Sequence, residues 1–332
     1  MKQSDWSKEG FFMPTTESGS ESYLFRLLFK LKVYEASGNF FQSLVSQIFE
    51  FAIPGFQRIA PWGSQGDGGN DGWVRSSGHY FQVYGPLNNT QINPVKEIRK
   101  AKQDFHKLLG HWPSIRHYSF VLNDRFEGIP APVPLALTEI KNTHNLDSAQ
   151  AIGAGDLAIF FADLDYDKKC MITGNIPFGQ SDFLDTRAVG ELLTYLADKP
   201  SRRLGFLQQT PPEFKQKIHF NGLSESVADT LKTANYQVAY VDDFLKTRGA
   251  ALQQSIGEEI HEMYKDSKEI IPDSEAEAAD LRFIWLMKKL IPENIKHHVH
   301  SEKAYELAAV TILSKYFETC DIYEYPDSPY PS

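Results

Sequence analysis

Cysteine is scarce: the 332 residues contain two, Cys170 and Cys320, far apart. A disulfide framework of the secreted kind is thereby excluded, and a reducing compartment suits the chain. No apolar run reaches the ~18 residues that cross a bilayer, and the opening MKQSDWSKEGFFMPTTESGSES carries no apolar core of the secretory type. A soluble, cytoplasmic protein is expected. Basic residues do not predominate, because the formal net charge is −9. That excludes a general basic coat for nucleic acid but not a local basic patch. A Walker motif is absent, so any ATP hydrolysis must come from another protein, and there is no G-x-S-x-G nucleophile elbow.

What is present is ordinary globular composition, 42% hydrophobic and 23% charged, with 23 Phe and 15 Tyr to fill a core. Residues 1–20 read as a loose polar arm, 21–175 as a small α/β domain and 176–332 as a mainly helical domain. From Tyr23 the pattern is periodic and apolar. In SGNFFQSLVSQIFEFAI, Phe41, Leu44, Val45, Ile48 and Phe49 recur at helical spacing, and Pro54-Gly55 ends the run. FQRIA, GWVR and HYFQVY read as strands, the last two joined by a turn at Ser76-Ser77-Gly78. A helix is expected from about Pro94 to Leu109, then a strand at HYSFVLND. VPLALTEIKNTH reads as a helix, and DLAIFFADL as a helix or a buried strand. Beyond residue 175 the helical segments are 185–197, 224–235, 241–266, 275–291 and 302–318.

The chemistry concentrates in GSQGDGGNDGWVRSSGHYFQVYGP, residues 63–86. It is no dinucleotide fingerprint, because Asp71 stands at the third glycine position and a strand follows where a helix should begin. It is no EF-hand loop, lacking the later acids and the closing glutamate. Asp and Asn can simply bond their own backbone in such a turn. Asp71, however, stands where a strand begins, and Gln82 and Tyr84 share one face of the returning strand. A carboxylate at one strand's start, opposite such a pair, can hold a hard divalent cation beside a water-handling group.

GDGGNDG…YFQVY resembles the core of the restriction-endonuclease-like superfamily, in its Mrr-type pattern of a G-D-G-G-x-D-G loop before a Q-x-K strand. The resemblance puts the metal-binding aspartate on Asp71 and the strand glutamine on Gln82. Two positions depart from it: Tyr84 stands where lysine is expected, and Gln42 where a helical glutamate is expected. The longer string FQRIAPWGSQGDGGNDGWV…HYFQVYGP, with the ending AAVTILSKYFETCDIYEYP, resembles subunits of bacterial ABC three-component (ABC-3C) antiviral defence systems. That resemblance implies a central mixed sheet flanked by helices, followed by a helical assembly domain. It further implies Mg²⁺ or Mn²⁺, DNA as substrate, an ABC/SMC-like ATPase and a small third subunit as partners, and room for homo-oligomers. The function expected is metal-dependent DNA cleavage; the alternative is a degenerate subunit that binds DNA or serves as a scaffold.

Such an enzyme holds its ion through carboxylates and needs positive charge near the attacking water. Tyrosine, with a pKa of about 10, supplies none at pH 7. Asp67 in the same loop, Glu50 two turns after Gln42, and Glu35 are the available extra carboxylates. In NPVKEIRKAKQDFHKLL, Ile98, Ala101, Phe105, Leu108 and Leu109 form an apolar face, and Lys96, Arg99, Lys100, Gln103 and Lys107 the opposite one. This basic stripe is the expected phosphate contact, with Lys100 or Lys102 within reach of the centre. Trp73, Tyr80, Phe81 and Tyr84 read mainly as packing residues and Trp62 as structural. His297, His298 and His300 read as a linker, and Cys170 as a small buried hydrophobe. Arg202 and Arg203 read as surface residues.

Overall fold

The structure is a computed structural model that describes residues 18–61, 67–87, 93–112, 114–176, 184–199, 214–294, 299–319 and 322–324. Trp62, Arg202, Arg203, His297, His298 and Cys320 lie outside the described residues, as does the His300 side chain. The elements in chain order are α1 (Gly19–Glu35), α2 (Gly38–Ala52), β1 (Phe56–Arg58), β2 (Gly72–Val74), β3 (His79–Tyr84), α3 (Pro94–His111), β4 (His117–Leu122), α4 (Pro132–His144), β5 (Ser148–Ile152), α5 (Ala154–Ala162) and α6 (Tyr166–Thr173). They continue with α7 (Thr186–Ala197), α8 (Phe214–Phe220), α9 (Glu225–Asn235), α10 (Val238–Lys246), α11 (Ala250–Ile270), α12 (Ala278–Leu290) and α13 (Val299–Glu318).

The protein is mixed α/β and mostly helical, with one five-stranded sheet in the order β1-β2-β3-β4-β5. The first three strands are antiparallel and the last two join in parallel. Two-residue alternation along β3 divides the sheet between two cores. Phe81 faces α2 and α5 with Phe41, Phe49 and Phe161. Tyr80 faces α3 and α4 with Phe105, Tyr118 and Leu137. At the start of β3, His79 stacks on the Phe81 ring at 4.1 Å, and its Nε2 lies 2.8 Å from the Ser119 hydroxyl. Burial, reinforced by neighbouring His117, pulls the His79 pKa down to about 4.

The polar arm ends sooner than expected. Ser18 caps α1 by accepting from Glu21 N–H while Glu21 reaches back to the Ser18 backbone, a capping box written in the sequence as S-x-x-E. α1 then serves two cores. Leu24, Leu27, Leu28 and Leu31 join the helical core with Leu281, Ile284 and Leu313. Phe25, Phe29 and Val33 join the sheet-side core. Polar contacts reinforce the first flank: Tyr34 donates to Glu275 at 2.8 Å, Lys30 pairs with Glu275 and Glu277, and Arg26 pairs with Glu277. At the end of α1, the buried Asn123 amide donates to both Val33 and Ala36 carbonyls, at 2.9 and 2.8 Å.

Two details differ from the sequence reading, and one alternative it left open is decided. The expected helix over 241–266 is two helices, because Gly249 at φ +92° breaks the run between α10 and α11. DLAIFFADL is helical, started by Asp156 accepting from Gly153 N–H at 2.9 Å. Leu109 is 39% exposed, so it does not belong to the buried face of α3.

Candidate functional site

The glycine loop is shaped by where it lies. Gly68 and Gly69 have φ of +65° and +81°, and a Cβ on Gly69 would sit 2.4 Å from the Asp104 carbonyl of α3. Only glycine lets the loop approach the helix that closely. Asp67 accepts from Gly69 N–H at 2.8 Å and Asn70 from Gly72 N–H at 3.0 Å, so both side chains shape the turn. The Asp67 carbonyl is held by Trp112 Nε1 at 3.1 Å.

The loop delivers Asp71 to the head of β2. Gly72 pairs with Phe81, so one residue back Asp71 stands level with Gln82. The Asp71 side chain is nearly enclosed, at 4% exposure. One carboxylate oxygen accepts from Gln42 Nε2 of α2, and the other from Val83 N–H at 2.6 Å. Burial drives its pKa up to about 7. The Val83 N–H opposes the rise, nearby Asp67 and Asp104 add to it, and Lys100 counters them. Gln82 shares the α3-side face with Tyr80 and Tyr84 by alternation. It is 5% exposed, and its Oε1 has no hydrogen-bond partner among the described residues.

The inner side of α3 completes the surroundings. Lys100 Nζ lies 2.7 Å from Asp104, which Lys107 approaches at 3.5 Å. Lys100 acts electrostatically on both Asp71 and Tyr84. Lys102 is turned away to Glu139 on α4, at 2.8 Å. Tyr84 has its pKa raised by burial and by Glu97, so its hydroxyl is neutral at pH 7. Lys96 and Arg99 are exposed and form no salt bridge among the described residues.

The structure therefore brings Asp71, Gln42, Asp67 and Lys100 into one neighbourhood and sets Gln82 level with Asp71. Glu50 does not join them. It is exposed, eight residues and about 12 Å further along α2 than Gln42. Among the described residues no three His, Cys, Asp or Glu side chains are grouped to hold a metal ion, so Asp71, Asp67 and Glu50 do not converge as a three-carboxylate set. Glu97 and Asp104, each 2% exposed, are the buried acids that sequence reasoning missed. Their seven-residue spacing on α3 placed them on one side of the helix, and that side proved to face the centre.

Residues 187–324 match the family model of C-terminal domain 10 of the ABC-three component (ABC-3C) systems. The match supports ABC-3C membership. It covers the helical region from α7 to the last described residues, leaves the sheet domain outside, and points to a multicomponent system, which is consistent with partner subunits. No curated protein matches the chain. No solved structure matches it either. Among the described residues no helix is long and apolar enough to cross a membrane.

Proposed function

We propose that this chain is the nuclease-fold effector subunit of an ABC-3C anti-phage system, and that it hydrolyses DNA phosphodiesters at a centre built on Asp71. What supports the reading is a buried carboxylate at the head of β2, level in register with Gln82 and under the electrostatic influence of Lys100 from α3. Lys100 takes up the positive charge that Tyr84 lacks.

The donor set fits a hard cation. Gln82 Oε1 is a buried acceptor without a donor, and Asp71 is a carboxylate whose burial and acidic neighbours disfavour its charge unless a cation is near. One carboxylate and one amide oxygen, with water, suit Mg²⁺ or Mn²⁺. Such an ion lowers the pKa of a bound water and stabilises developing negative charge. Gln42 fixes the Asp71 carboxylate, and Lys100 offsets charge on the phosphate. Lys96, Arg99 and Lys107 supply backbone contacts to DNA along the exposed side of α3. An ABC/SMC-like ATPase and a small third subunit are the proposed partners.

A second reading rests on one observation: both Asp71 oxygens already accept hydrogen bonds from Gln42 and Val83. On this reading the chain binds DNA or scaffolds the ATPase without cutting. The test incubates the purified protein, alone and with its partner subunits, with DNA and Mg²⁺ or Mn²⁺, beside Asp71→Ala and Lys100→Ala. Cleavage lost in both variants supports the enzyme; DNA binding without cleavage in the full complex supports the second reading.

A further inference from the structure

The helical domain holds a groove of about 530 Å³ between α7, α11 and α12, remote in sequence from the Asp71 centre. Its floor is apolar: Met263, Ile270, Trp285 and Ile291. Its rim is acidic. Glu259 is matched by Lys199 at 3.2 Å. Asp266 and Glu269 make no ion pair among the described residues, and the rim's other lysine, Lys289, is engaged with Glu35 at 3.6 Å. Trp285 is 4% exposed, with Lys289 Nζ 5.3 Å over its ring, and its indole Nε1 is closed to solvent without an acceptor among the described residues. A buried indole N–H without a partner is costly, and native proteins seldom leave one so.

We propose that this groove docks a basic, apolar-anchored peptide segment of a partner subunit. Its lysines or arginines would meet Asp266 and Glu269, and its apolar side chain would fill the floor. Charge complementarity selects this occupant. The two unpaired carboxylates repel an acidic segment and nucleic acid alike, and the apolar floor distinguishes a peptide from a simple cation. The proposal rests on the helical domain and not on Asp71, so a failed DNA-cleavage assay leaves it standing.

The test uses the full chain and a fluorescein-labelled twelve-residue peptide alternating arginine with leucine, beside the same peptide with glutamate for arginine. Fluorescence anisotropy reads binding, and the ¹⁵N–¹H signal of the Trp285 indole reads its location. Expected are binding of the basic peptide alone, a perturbed Trp285 signal as the floor is covered, and weakening by about tenfold or more in Asp266→Lys/Glu269→Lys, whose positions tolerate charge reversal without refolding the core. Four outcomes overturn the proposal: no binding of the basic peptide, equal binding of both peptides, binding indifferent to the charge reversal, or a dimer by light scattering that the reversal converts to monomer. The last would make the occupant a second copy.

Discussion

Replacing His79 with glutamine tests whether the sheet's part-buried imidazole is held neutral. In the folded protein its pKa lies at about 4, against 6.5 ordinarily. Between those values the unfolded chain binds a proton that the folded chain refuses. Stability from this group is complete above pH 6.5 and is lost as pH falls towards 4. The interval, at 1.36 kcal/mol per pH unit, sets a ceiling of about 3 kcal/mol. The ring is only part-buried, so solvent screening reduces the expected effect to about 1–2 kcal/mol. Glutamine is neutral throughout and retains an amide for Ser119. It loses the stack on Phe81, a cost of about 1 kcal/mol that does not depend on pH. Urea unfolding at pH 8, 6, 5 and 4.5 should show wild type losing about 1–2 kcal/mol more than His79→Gln over that range. Parallel losses in the two proteins would refute the reasoning, because the carboxylates common to both would then account for the whole slope.

Burial lifts Glu306 on α13 to about pKa 7, with Glu302 adding to the rise and Lys288 and Lys303 opposing it. The folded state thus holds a proton that the unfolded state releases between pH 4.5 and 7, and stability falls as pH rises through that window. Glu306→Gln should therefore exceed wild type by about 1–2 kcal/mol at pH 8 and match it near pH 4.5; an equal difference at both pH values in thermal denaturation contradicts this. Gly69→Ala forces a Cβ against the Asp104 carbonyl at a positive φ, and should cost about 2 kcal/mol or more in urea titration. Asn123→Ala removes both donors to the end of α1, leaves two buried carbonyls without them, and should cost about 2 kcal/mol. A loss under 0.5 kcal/mol would show that these carbonyls find other partners.

Strong local periodicity made much of the fold legible. α2 and α3 are amphipathic over four or more turns, and β3 and β4 carry aromatic and β-branched residues. β5 was not legible: Ser-Ala-Gln-Ala-Ile has small side chains and weak strand preference, and it is a strand because β4 offers it a parallel edge. The short helices α6 and α8 escaped notice because seven or eight residues hardly establish a period. At the candidate centre, the placement of Asp71 at a strand head followed from the glycine loop and the hairpin. The inward turn of Lys100 did not, since a lysine at the seam of an amphipathic helix reads equally well as solvent-facing. Its direction follows its ion pair with the buried Asp104, at 2.7 Å.

The double packing of α1 bears on how the system could signal. One flank of this rod is held to α12 by leucines and to the turn just before it by the Lys30, Arg26 and Tyr34 contacts with Glu275 and Glu277. Its opposite flank is wedged into the aromatic core behind the sheet. Because α1 belongs to both cores, a displacement of the helical half that keeps the leucine packing has to move α1 against the aromatic core as well. Cutting the gene at the apparent seam near residue 175 would strip the leucine flank of its cover and yield two sticky fragments rather than two modules.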